Sequence, residues 1–290
     1  MKEIVVLSGK GGTGKTSIVG SFAVLAKNKV LADCDVDAAD LHLILNPAVR
    51  ENHEFWSGNT AVIDGKLCTQ CGLCQELCRF SAVKDYIVDP ISCEGCGFCA
   101  HICPAEAITM KENLSGEWFS SNTKYGPLVH ARLGIAQENS GKLVALVRQQ
   151  ARQLTEKEGF DCIISDGPPG IGCPVISSLS GANLALLVTE PTLSGIHDLE
   201  RVLGVCRHFG VPALVCINKY DLNEENARQI ESNCLSQGVE IAGRVPFDNV
   251  VTESIVQGVP VVEYSDGRVT KEVERMWHTL STMLGNHEKR

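Results

Sequence analysis

The chain has 290 residues, 44% of them hydrophobic and 21% charged, and a formal net charge of −9. That length suits one large α/β domain with a sizeable core plus a small insert, and the ordinary apolar and charged content excludes a disordered chain. The acidic balance argues against a general grip on nucleic acid, leaving only a local basic patch on an assembled dimer, and no apolar run nears the roughly 18 residues that cross a bilayer.

Met1-Lys2-Glu3 leads straight into Ile4-Val5-Val6-Leu7 without a secretory leader, so a cytoplasmic protein is expected. The 14 cysteines are then expected as reduced thiols or metal ligands, and disulfides are a poor reading. The apolar run is predicted to be a strand covered on both faces, followed by a glycine-rich loop over residues 9–14. A helix follows over 16–27, with Ile18, Phe22 and Leu25 on one side, and then a strand, Val30-Leu31-Ala32, running into Asp33. Residues 61–110 break this rhythm and hold eight of the 14 cysteines, which marks an insert with its own organising principle. Residues 111–141 read as a hairpin or switch-like connector with short extended pieces such as 117–120. Strands at 162–164, 184–188, 213–217 and 239–242 then alternate with helices at 142–158, 196–208 and 224–235, the pattern of a doubly wound, mainly parallel sheet. Over 269–284, Val273, Met276, Trp277, Leu280 and Leu284 fall at helical spacing. Packing on the sheet suits the mixed charges of this helix better than a membrane anchor. The expected division is residues 1–60 with 111–290 as a P-loop domain, and 61–110 as a small α+β ferredoxin-like insert.

Gly9-Lys10-Gly11-Gly12-Thr13-Gly14-Lys15-Thr16 fits G-x-x-x-x-G-K-[ST] at every position. Glycines let backbone N–H groups turn inward onto phosphate, and the helix that follows, with Ser17 in its first turn, adds its positive end. Lys15 is expected on the outer phosphates and the Thr16 hydroxyl on Mg²⁺. Gly9, Gly11 and Gly14 also satisfy the dinucleotide pattern G-x-G-x-x-G, with Asp33 near the place of a ribose-binding acid. The Lys15-Thr16 pair has no role there, which favours the P-loop. Asp166 ends the apolar run Cys162-Ile163-Ile164 and precedes Gly167-Pro168-Pro169-Gly170, the place of a Walker-B acid beside Mg²⁺. Asn218-Lys219-Tyr220-Asp221 matches N-K-x-D, the guanine-reading motif of GTPases.

Cys68, Cys71, Cys74 and Cys78 make C-x₂-C-x₂-C-x₃-C, and Cys93, Cys96, Cys99 and Cys103 repeat it, followed by Pro104. This is the bacterial two-cluster ferredoxin pattern, in which the fourth cysteine of each run ligates the other cluster. Cys68, Cys71, Cys74 and Cys103 are therefore expected to hold one [4Fe–4S] cluster, and Cys93, Cys96, Cys99 and Cys78 the other. Zinc would take two C-x₂-C pairs and leave four cysteines over. Arg79 follows Cys78 where ferredoxins carry Pro. Of the six remaining cysteines, Cys34, Cys162, Cys206, Cys216 and Cys234 are expected as small buried hydrophobes. Cys173 follows the Pro-Pro-Gly turn and could face a dimer partner.

Lys10 within the phosphate loop resembles the deviant Walker A of the MinD/ParA/Mrp group of the CobQ/CobB/MinD/ParA nucleotide-binding family, which also includes the nitrogenase iron protein. Asp33-Cys34-Asp35-Val36-Asp37 and Asp166-Gly167-Pro168-Pro169-Gly170 resemble its other acidic motifs. The match is nearest to members with an inserted ferredoxin domain. The resemblance implies that Lys10 reaches a partner subunit's nucleotide, that Asp35 orients the attacking water, and that Asp33 and Asp166 lie near the metal; on their own, Lys10 also reads as an ordinary loop lysine, and Asp37 and Asp40 as solvated acids. It places Asn218 at adenine and so favours ATP over GTP, with Lys219 and Asp221 in the same segment and Val245-Pro246-Phe247 packed near the base. It implies a nucleotide-dependent homodimer, or a heterodimer with a paralogue; joined to the cluster motifs it leads to an ATPase coupled to electron transfer to, or metal-cofactor assembly on, a partner protein, while the acidic balance and the lack of a long apolar run leave neither nucleic acid nor membrane expected as partner. The alternative is a MinD/ParA-like positioning or partition ATPase with clusters as staples or redox sensors. The separate C-x-x-C of Mrp-type cluster carriers is lacking, and no length remains for the glutaminase domain of an amidating synthase.

Overall fold

The structure is a computed structural model that describes residues 1–134 and 139–286. In chain order the elements are β1 (Lys2–Ser8), α1 (Lys15–Leu25), β2 (Lys29–Asp33), α2 (Leu41–Leu45), β3 (Ala48–Ile63), α3 (Leu73–Glu76), β4 (Val83–Lys84), β5 (Ile87–Val88), α4 (Phe98–Ile102), β6 (Ile108–Thr123), β7 (Gly126–Leu133) and α5 (Ser140–Glu158). They continue with β8 (Cys162–Pro169), α6 (Cys173–Leu179), β9 (Leu184–Thr189), α7 (Leu193–His208), β10 (Ala213–Asn218), α8 (Glu224–Ser236), β11 (Glu240–Val245), α9 (Asn249–Val256), α10 (Val261–Tyr264) and α11 (Arg268–Asn286).

The main sheet runs β11-β10-β9-β1-β8-β2-β7-β6-β3. Every pairing from β11 to β7 is parallel. The middles of these strands are continuous apolar runs, such as Ile4 to Leu7 of β1, as suits a sheet covered by helices on both faces. Successive residues of β1 part accordingly. Ile4 and Val6 join a core with Phe22 of α1 and Met276 and Leu280 of α11. Val5 and Leu7 join another with Leu179 of α6, Leu199 and Val202 of α7 and Ile230 of α8. The apolar face of α11 is thus spent on the sheet, with Val269, Val273, Met276, Leu280 and Leu284 all buried, as its charge pattern suggested. Among the described residues no helix is long and apolar enough to cross a membrane.

The chain divides into two compact units: residues 1–52, 118–132 and 140–290, and residues 53–117 and 133–139. The second is wider than the 61–110 stretch that the cysteines mark. Its outer parts belong to the 16-residue strands β3 and β6. β3 escapes sequence reading because its first seven residues are exposed, so no apolar run announces it. The stretch read as a hairpin or connector holds β6 and β7, joined by Lys124 and Tyr125 alone; a two-residue link permits only an antiparallel hairpin. The part of that reading on residues 135–138 lies outside the described residues.

Candidate functional site

The phosphate loop connects β1 to α1 at the carboxyl end of the parallel strands, where ligands of doubly wound sheets bind. Gly14 takes φ 91°, and a Cβ there would stand 2.4 Å from Asn218 Nδ2, so only glycine fits. Asn218 donates from that Nδ2 to the Thr13 carbonyl at 2.7 Å and accepts from Lys219 N–H at 3.0 Å, locking β10 to the loop. Lys15 is 5% exposed, and its Nζ lies 3.8 Å from Asp35 Oδ2.

Asp33 and Asp166 are register partners on β2 and β8, both almost fully buried. Asp33 accepts from the N–H groups of Asp35 and Leu41, each at 3.2 Å. Burial, and then the neighbouring Asp166 carboxylate, push the Asp33 carboxyl well above its ordinary range. Burial likewise raises Asp166, which Lys15 and a Thr16 hydrogen bond partly offset. Burial raises Asp35 to about 6 against the pull of Lys15. Asp166 Oδ1 and Thr13 Oγ1 are buried with no hydrogen-bond partner. Two adjoining buried carboxylates with an orphaned oxygen repel each other, and a divalent cation removes that cost. Hard oxygen donors on Thr16, Asp33 and Asp166 fit Mg²⁺. Asp37 and Asp40 are exposed.

Beside the loop lies a cavity of about 210 Å³, lined by Gly12, Gly14, Ser17, Asn218, Lys219, Pro246 and Phe247 among others. Its apolar wall comes from Val251, Ile255, Val261, Val269 and Val273. Those residues escape sequence reading because they reach the loop only through the fold. Asp221 does not line the cavity; its Oδ1 accepts from Phe247 N–H at 2.7 Å. Gly9 and Gly11 of the loop do not line this cavity, and a Cβ on Gly9 would meet Asp198 at 2.4 Å. Lys10 turns to its own chain. Its Nζ is 3.4 Å from Glu190 Oε2 and 3.3 Å from both Thr192 Oγ1 and Ser194 Oγ. Glu190 also pairs with Lys219 Nζ at 2.6 Å. The sequence offered one signal for Glu190, an acid closing the apolar run 184–188.

In the second unit the cysteines fall into two cavities. One of about 330 Å³ is lined by Cys74, Cys78, Cys93, Cys96 and Cys99. A smaller one of about 20 Å³ is lined by Cys68, Cys71, Cys74 and Cys103. Gln70, Ala82 and Ala107 donate N–H groups to Cys68, Cys78 and Cys103 Sγ, each at 3.4 Å. A Cβ on Gly95, which has φ 63°, would meet the Asn59 carbonyl at 2.2 Å. Among the described residues no three Cys, His, Asp or Glu side chains gather as a single ion needs. A single ion draws thiolates to about 2.3 Å, whereas a four-iron cluster would take four thiolates at its corners. Burial raises the Cys74 and Cys99 thiols, and coordination to metal would offset that cost. Cys34, Cys206, Cys216 and Cys234 are buried, Cys162 is half-buried, and Cys173 is exposed at the start of α6.

The family described as CobQ/CobB/MinD/ParA nucleotide binding domain matches residues 4–261, and the chain belongs to it. An uncharacterized protein of Methanocaldococcus jannaschii is 32% identical over 285 residues, covering 97% of each chain. The septum site-determining protein MinD of Thermotoga maritima is 24% identical over 283 residues, covering 94% of this chain and 85% of that one. The solved MinD of Pyrococcus horikoshii, complexed with Mg-ADP, superposes with a TM-score of 0.60 at 19% identity, covering 100% of this chain and 99% of the other. At that identity the likeness is one of fold.

Proposed function

We propose that the chain is an ATP-hydrolysing switch that carries two [4Fe–4S] clusters and couples the two to gate electron transfer to, or metal-cofactor assembly on, a partner protein. The observation that carries the cluster half is the gathering of eight cysteines around two cavities, Cys68, Cys71, Cys74 and Cys103 at the smaller and Cys78, Cys93, Cys96 and Cys99 at the larger, with Cys74 lining both. The nucleotide half rests on the phosphate loop, the buried acid pair and the family. Lys15 neutralises charge on the outer phosphates, and Asp35 places the attacking water. Thr16, Asp33 and Asp166 would hold Mg²⁺, which supplies charge neutralisation on the phosphate oxygens. The clusters would supply one-electron redox chemistry. Lys10 would leave Glu190 and reach the nucleotide of a second subunit, in a homodimer or with a paralogue, so that triphosphate favours the closed pair.

Anaerobic purification with iron and sulfide analysis, together with turnover of Lys15→Ala, tests this reading. Expected are about eight irons per chain, from two four-iron clusters, and turnover lost in the variant with cluster absorbance intact. Iron-free material, or unaltered turnover, sinks it.

A second reading, a positioning switch of the MinD/ParA kind, is favoured by the MinD relatives and by the MinD-like fold. Recruitment to membranes in ATP, with an ATPase rate indifferent to cluster reduction, would select it. The burial of the apolar face of α11 leaves that helix no free membrane-binding face.

A further inference from the structure

Asn218-Lys219-Tyr220-Asp221 carries the guanine-reading pattern, but its acid is placed for another task. To read guanine, a carboxylate needs both oxygens inside the base cavity, one to accept from the ring N1–H and one from the exocyclic amino group. Asp221 is not among the residues lining that cavity. Its Oδ1 is taken by Phe247 N–H at 2.7 Å. Residues 219–222 bend there sharply, with Lys219 at φ 55° and a 3₁₀ turn over Tyr220–Leu222. Phe247 is the last residue before Asp248, which caps α9 by accepting from Val250 N–H at 3.0 Å. One hydrogen bond thus ties the end of the β10 loop to the segment that carries Pro246 and Phe247, and to the first turn of the helix whose Val251, Thr252 and Ile255 wall the cavity.

We infer that Asp221 is a positioning residue for the base wall: it holds Pro246, Phe247 and the start of α9 in place and makes no contact of its own with the base. This rests on the ATP reading and deepens it. Asp221 is withdrawn from this cavity, whose lining carboxylate is Asp248, held through Oδ1 by Val250 N–H, so the choice of base does not pass through Asp221. The N-K-x-D pattern here is a loop clasp, with Asn218 holding the phosphate loop and Asp221 holding the base wall.

The test uses the whole chain with ATP, GTP and XTP. Asp221→Ala should weaken ATP binding about tenfold, the worth of one hydrogen bond. KM should rise while kcat at saturation is kept, since no group at the phosphates has changed. Asp221→Asn keeps an acceptor for Phe247 N–H and should restore affinity to within about twofold. Asp221 is exposed, so neither variant endangers folding. A base-reading acid would behave otherwise: Asp221→Asn would lose GTP and gain XTP, whose ring carries an oxygen where guanine has an amino group. That switch, or unchanged ATP affinity in Asp221→Ala, overturns the inference while the ATP reading stands. A wild-type chain that binds no nucleotide removes both.

Discussion

Beside the phosphate loop, Phe22, Leu31 and Ile164 are fully buried within a large apolar core. Around the cysteines the buried cluster is Ala61, Cys74, Val83 and Ile108, and five of its eight half-buried neighbours are not aliphatic but thiols or sulfur-bearing: Cys78, Cys93, Cys99, Cys103 and Met110. The first unit can assemble its site before a ligand arrives. In the second the cysteines are themselves much of the core, so if they hold the proposed clusters, metal binding and folding would be one event, as in small metal-stabilised domains. The chain therefore joins a site that a fold supports to a site that would support its own fold.

Removing metal should expose that contrast most strongly. Cys93→Ser with Cys99→Ser should lower iron from about eight to about four per chain in oxygen-free protein, with one four-iron cluster lost. Limited proteolysis should then cut within residues 53–117 while ATP affinity is unchanged. Chelation of the wild type should do the same. A metal-free unit that resists protease as well as the loaded one would mean that the thiols serve as ordinary core.

The next largest effect belongs to the nucleotide unit. Glu3 on β1 is 2% exposed and meets Arg148 Nε at 2.6 Å and Arg152 Nη2 at 2.8 Å, while Ser165 donates to it at 3.2 Å. Arg148 also donates to the carbonyls of Ser177 and Ser180. Arg148→Ala leaves the buried Glu3 carboxylate with Arg152 as its only remaining arginine partner and should cost about 3 kcal/mol, read from the urea midpoint. Glu3→Gln with Arg148→Met, which buries no net charge, should recover much of that loss.

The same contrast explains what was legible beforehand. The phosphate loop, the acids at strand ends and the cysteine spacings are local, since each function fixes residues a few positions apart. The parallel sheet is legible too, because strands buried on both faces are continuous apolar runs such as Ile4 to Leu7. β3 is not, since its exposed half lacks such a run. Nor are the partners of Lys10 and Asp221. Glu190 lies 180 residues from Lys10, and Phe247 meets Asp221 through a backbone N–H that any residue type supplies.

His130 probes the nucleotide unit through pH. It lies on β7 at the register of Asp33, stacks on Phe119 at 4.9 Å and faces His42 at 6.4 Å, with Ser121 Oγ 3.0 Å from its Nε2. Burial, and then His42, lower it to about 4. Its folded value lies below the unfolded value of about 6.5. The stability tied to the neutral ring is therefore whole above that pH and is lost as pH falls from about 6.5 to 4, about 3 kcal/mol over the whole window. The raised carboxyls Asp33, Asp35 and Asp166 act in the opposite sense, so the difference between wild type and His130→Gln isolates the ring. Between pH 7 and 5 without Mg²⁺, the wild-type midpoint should fall relative to the variant. Parallel curves would show that the ring takes up its proton without cost.

The smallest effect concerns the rim where the nucleotide unit would meet a second subunit. Glu190 holds Lys219 at 2.6 Å and Lys10 at 3.4 Å, and both lysine side chains are 31% exposed. Pairs this exposed are worth about 0.2–1 kcal/mol and weaken with salt. Glu190→Gln keeps an acceptor for Lys219 but removes the charge that retains Lys10. If Lys10 must leave this contact before it acts, basal turnover at low salt should rise about two- to fivefold. The gain should shrink as salt screens the wild-type pair, until the two proteins converge. Equal rates at every salt concentration would mean that the contact with Glu190 restrains nothing. Reaching a second subunit would then be limited by the encounter itself, and the barrier to switching would lie in assembly, outside the single chain.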